Sequence, residues 1–176
     1  MFAFIADLIR NRINKPDYHK SGFHNLDSTS FDSTLIYDPN LIDVLKYEHS
    51  ELIVLYESMW KQGFEKKDYQ KLARTIELFK VDFQSHILKE NVKLFVYLEK
   101  SISKEQNALK LVKTFHHEIN DIATAVLPFC KKYGITPYTL EMEKDFERDY
   151  LQIGHVLKTR IEAEESQLYT LYRPSF

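Results

Sequence analysis

Apolar residues recur at intervals of three and four along four long stretches of the chain, and no strand-like alternation is sustained anywhere. The first stretch opens at Asp38-Pro39, a capping residue followed by proline in the first helical position, and closes near Gly63. Its stripe is Leu41, Leu45, His49, Leu52, Tyr56 and Met59. The second runs from about Asp68 to Lys100, with Phe79, Phe83, His86, Glu90, Leu94 and Tyr97 on one face. The third follows a capping box, Ser103 with Gln106, and ends before Gly134, carrying Leu109, Val112, His116, Ile119, Ala123 and Val126. The fourth begins around Thr136-Pro137 or Thr139 and runs to about Tyr172, with Ile153, Leu157, Arg160, Glu164, Leu168 and Leu171 in line. Short connections make consecutive helices antiparallel neighbours, so the pattern predicts an all-α, antiparallel up-down-up-down four-helix bundle over residues 38–173.

Residues 1–37 read differently, as an N-terminal short amphipathic helix and loop arm. Phe2, Phe4, Ile5, Leu8 and Ile9 lie within residues 1–13, and residues 14–37 have the Ser, Asn, Asp and Gly of a loop. Asp7 interrupts the apolar part, no small-residue cleavage site follows, and the basic residues come after it, which argues against a signal peptide. No apolar run reaches the roughly 20 residues of a membrane-spanning helix, so membrane association is not expected. The formal net charge of -2 gives no push toward nucleic acid. A lone cysteine, Cys130, excludes an internal disulfide and suits a reducing compartment, which places the protein in the cytoplasm.

Candidate chemistry lies where the stripes are broken. Polar groups are costly on a core face unless something satisfies them. His49, His86 with Glu90, His116, and Arg160 with Glu164 interrupt all four stripes. His49 lies about ten residues into its helix and Glu90 about ten from the end of the next, so an antiparallel hairpin brings them level. Imidazole and carboxylate are ordinary ligands for iron, manganese or zinc, and a metal ion would satisfy the whole layer. His117 is the alternative ligand should the third helix be rotated. Glu162 and Glu165 read as solvated charges, and Cys130 as a buried apolar residue. No nucleophile–base pair, phosphate-binding loop or zinc-finger spacing is present, which points to a binding protein and not an enzyme.

The ordered set Tyr47-Glu48-His49, His86-x-x-x-Glu90, His116 and Arg160-Ile161-Glu162-Ala163-Glu164-Glu165 resembles the hemerythrin-like HHE cation-binding domain over about residues 39–172. The resemblance implies a mono- or dinuclear non-heme iron centre held by His49, His86, Glu90, His116 and Glu164, serving oxygen, redox or iron handling, with dioxygen or another diatomic as ligand. A homodimer or a regulatory protein is the partner it suggests. The chain departs from the pattern at Arg160, where the family has histidine. Arginine cannot lose its proton and cannot ligate, so Arg160 is a candidate metal-replacing cation. That departure supports a second reading: a metal-free helical regulatory or interaction module with an Arg160–glutamate network in place of metal.

Overall fold

The structure, a computed structural model, describes residues 36–175, so the expected helix and loop arm at residues 1–35 lie outside the described residues. Four long helices make up this part, and there is no strand among the described residues. Helix α1 (Leu41–Ser58) runs on into a π-helical turn, Met59–Phe64. Helix α2 (Tyr69–Lys89) passes through a second π-turn, Glu90–Phe95, into α3 (Val96–Ser101) without a break. Helix α4 is Gln106–Tyr133, and α5 (Leu140–Ala163) continues through a third π-turn, Glu164–Leu168, into a short 3-10 turn at Tyr169–Leu171. No helix among the described residues is long and apolar enough to cross a membrane.

Capping follows the sequence in two helices and departs from it in two. Asp68 accepts from the Lys71 N–H, and Thr139 accepts from the Met142 N–H, each satisfying a first-turn donor of its helix. The first helix starts at Leu41, after Asn40, while Asp38 accepts from the Asn40 N–H one turn earlier. The expected Ser103 capping box is not used, because α4 begins at Gln106 after Glu105 with no side-chain cap. At the turn between α1 and α2 only glycine fits: a Cβ on Gly63 would stand 2.7 Å from the Leu72 Cβ.

Helix α1 packs on α2, α2 on α4, and α4 on α5. Aromatic side chains fill the space between them at one level. Tyr56 stacks on Tyr150 with centroids 4.4 Å apart, and Phe146 meets Phe64, Phe129, Tyr133 and Tyr150. The Tyr150 hydroxyl donates to the Tyr56 carbonyl at 3.1 Å, and the Tyr56 hydroxyl donates in return to the Tyr150 carbonyl. These rings belong to one contiguous core with Met59, Leu72, Ile76, Phe79 and Cys130. Cys130 is buried, as its stripe position predicts, and burial pushes its thiol up to about 12.

The π-turns were not foreseen in the sequence. Each inserts an extra residue into the helical repeat and slips the phase of the following stripe. Leu94 and Phe95 are buried side by side at the second π-turn, and Leu168 and Tyr169 at the end of the third. Two of the three π-turns open on a carboxylate of the polar layer, Glu90 and Glu164.

Candidate metal centre

Three of the five expected ligand residues converge, and a fourth adjoins them. His49 from α1 and His86 from α2 face each other with their Nε2 atoms 3.1 Å apart. Glu164 from the end of α5 places Oε2 3.2 Å from His49 Nε2. One donor atom from each of His49, His86 and Glu164 lies within 4.8 Å of the others, and all three residues are buried. Glu90 adjoins them, with Oε2 3.9 Å from His86 Nε2 and the side chain fully enclosed.

The outer nitrogens of both rings are occupied. His49 Nδ1 lies 3.0 Å from Glu165 Oε1, and His86 Nδ1 lies 3.0 Å from Glu48 Oε2. A carboxylate accepts only, so each Nδ1 carries the proton of a neutral ring and each Nε2 presents a lone pair. With both rings neutral, two lone pairs would face each other across 3.1 Å, an arrangement that is not a hydrogen bond. It is resolved by a second proton on one ring or by a cation bound between them. Two ligands bound about 2.1 Å from one ion, at octahedral or tetrahedral angles, stand about 3.0 to 3.4 Å apart. The 3.1 and 3.2 Å spacings around His49 Nε2 match that requirement.

The protonation balance agrees with a site built for positive charge. Burial works against a charged His49, but its hydrogen bonds to Glu164 and Glu165 and the charges of Glu164 and Glu90 outweigh it and raise the ring to about 9. His86 moves down, chiefly because burial disfavours its charged form, with His49 adding to that effect. Burial, reinforced by the neighbouring Glu164 charge, raises Glu90 to about 8. Glu164 moves the other way: burial opposes its charge, but the His49 bond and the Arg160 and His49 charges hold it ionised.

The remaining expected residues are placed elsewhere. His116 is not brought to this group; its ring stacks on Phe95 with centroids 4.5 Å apart, and Nδ1 lies 2.8 Å from Glu99. Val112, Ile119 and Val126 of the expected stripe are buried, but between the first two it is Phe115 and not His116 that points inward. His117 is 82% exposed and lies 3.9 Å from Asp121, so a rotation in that direction did not occur either. Arg160 is buried, its Nε donates to Glu164 Oε1, and its guanidinium carbon lies 4.8 Å from the Phe115 ring centroid. Glu164 thus turns one oxygen to His49 and the other to a guanidinium. On that side the donors have protons and no lone pairs, so the residues fit one cation and not two.

Three residues of the site were not singled out in the sequence. Tyr169 stacks on His49 and donates to Glu90 Oε1 at 3.0 Å, brought in by the π-turn that begins at Glu164. Glu165, expected in solvent, is 11% exposed and holds His49 Nδ1. Glu48 holds His86 and Lys89 together. The one sequence signal for the two glutamates is that each directly adjoins a ligand-type residue. Glu162, by contrast, is 54% exposed, as expected.

Residues 40–172 match the family model described as Hemerythrin HHE cation binding domain. No curated protein and no solved structure matches the chain.

Proposed function

The chain belongs to the hemerythrin HHE cation-binding domain family, and from that premise we propose that it is a non-heme iron protein of the cytoplasm that handles oxygen, redox state or iron. The proposed architecture is an up-down-up-down bundle over residues 38–173, with a separate arm at residues 1–37. Its support is that contacts rise along one helix as they fall along the next: His49 with His86 and Tyr56 with Phe79 between α1 and α2, Phe129 with Phe146 and Glu118 with Arg160 between α4 and α5.

His49, His86, Glu90 and Glu164 would hold a single iron ion, with Arg160 standing where a second cation would otherwise sit. The observation that carries this reading is the pair of facing Nε2 atoms, each ring anchored through Nδ1 by its own carboxylate. Bound iron with an open position supplies reversible binding of a diatomic such as dioxygen and one-electron redox chemistry. The chain's own residues orient the rings, exclude water from the layer and offer the Tyr169 hydroxyl as a hydrogen-bond donor beside Glu90. No catalytic turnover is proposed.

One observation favours the metal-free reading: the buried Arg160–Glu164 pair, with His49 raised to about 9, can balance charge without iron. Expression in iron-supplemented medium, followed by metal analysis, separates the two. One iron per chain is expected, and Arg160→His is expected to raise the count toward two. No iron, with thermal stability unchanged by a chelator, would leave the regulatory module standing and the iron protein overturned.

A further inference from the structure

Helix α2 and its continuation through the second π-turn into α3 carry a second stripe that faces outward. Leu78, Val81, Leu88, Val92 and Val96 are 59%, 59%, 60%, 55% and 41% exposed. With exposed Ser85 they follow the 3-and-4 spacing of a coiled-coil seam for roughly 27 Å, through the Glu90–Phe95 π-turn. These residues contribute nothing to the polar layer, which lies on the opposite face of the same helix. Charge is sparse at the middle of the seam: residues 83–88 contain no Asp, Glu, Lys or Arg. Interface centres are depleted of such charges in the same way. Asp82 and Lys89 flank the seam on one side, and the neutral Gln84 and Asn91 flank it on the other.

We propose that this seam docks a second copy of the chain, antiparallel and related by a two-fold axis. Two features select this occupant. Setting Val81 opposite the partner copy's Val92, and Ser85 opposite its Leu88, closes an apolar ladder that each copy repeats, as an isologous contact requires. In the same register Asp82 of each copy faces Lys89 of the other, so one axis generates two opposite-charge pairs and no like-charge pair. A parallel pairing would instead set Asp82 against Glu77, a like-charge pair, and Lys89 against the neutral Gln84. The Lys89 ammonium bonds Glu48 within its own chain and has further N–H donors for an acid across the seam.

Sedimentation velocity of the full chain, from low micromolar to about 100 µM, tests the proposal. The unmodified chain is expected to move from monomer to dimer across that range. The double variant Val81→Lys, Leu88→Lys alters only exposed positions and is expected to stay monomeric, with helical content by circular dichroism unchanged. Asp82→Lys, which sets lysine against lysine across the axis, is expected to weaken the dimer by tenfold or more at low salt. A chain monomeric throughout, or a dimer that persists in the Val81→Lys, Leu88→Lys variant, would overturn the proposal.

Discussion

Two levels of this molecule solve the same problem in different ways. In the aromatic layer, Tyr56 and Tyr150 bring hydroxyls into the core, and each donates to the other's backbone carbonyl. That pair is closed: the two hydroxyls answer each other's backbone and require nothing from outside. In the polar layer, His49, His86, Glu90, Glu164 and Arg160 are buried to a similar degree, yet the account does not close. The facing His49 and His86 Nε2 atoms need a shared proton or a cation between them, and among the described residues Arg160 Nη2 has no hydrogen-bond partner. A buried group left unsatisfied costs about 1 to 3 kcal/mol, more if charged, and such sites persist where function requires them. The first layer holds the helices in place; the second is held by them.

The largest effect expected from breaking this comparison is on stability. Phe146 is fully buried and touches rings from two other segments, so Phe146→Ala should cost about 3 to 5 kcal/mol, read as a lowered urea midpoint. His86→Ala should do the reverse: metal binding is lost, while the chelated protein unfolds at nearly its former midpoint. Loss of fold on His86→Ala would show that the polar layer, too, is structural.

These outcomes also measure what the sequence could convey. Helix number, the polar breaks and the convergence of His49, His86, Glu90 and Glu164 follow from periodicity, because stripes three and four residues apart must share a face. The third stripe holds at Val112, Ile119 and Val126 and fails at His116, since His116 and Phe115 are both compatible with its spacing and it is Phe115 that packs inward, under Arg160. The π-turns leave no mark in the pattern until the phase slips beyond them, and with them went Tyr169. Glu48 and Glu165 looked like surface acids because their role depends on a ring nitrogen of another helix.

pH separates the two layers next. His49, at about 9 in the fold against 6.5 unperturbed, contributes stability that is complete below about 6.5 and lost as pH rises through about 9. Glu90, raised to about 8, has the same sign: its ionisation penalty is absent below 4.5 and grows as pH approaches 8. Both shifts make the metal-free layer less stable as pH rises, and both groups must release a proton to ligate. Metal affinity is therefore expected to rise by about tenfold to a hundredfold per pH unit between pH 6.5 and 8. The gap in melting temperature between loaded and chelated protein should widen over the same interval. A gap that is constant across it would mean that the metal does not displace these protons.

The smallest expected effect belongs to the carboxylates behind the rings, and it tests the contrast most closely. Glu165→Gln keeps the size of the side chain but removes the charge that fixes the His49 tautomer and strengthens its Nε2 as a donor. Such outer partners are worth about tenfold to a hundredfold in metal affinity. The same change in Glu48 should lie at the lower end of that range, because its carboxylate is 25% exposed and shared with Lys89. In the chelated protein Glu165 stabilises the protonated His49, so Glu165→Gln lowers its stability below pH 7 under either reading; a layer that never holds metal shows that loss alone, with no metal affinity to lose. A metal titration beside a urea midpoint on one variant therefore reports which partner His49 was built to meet, a cation or a proton.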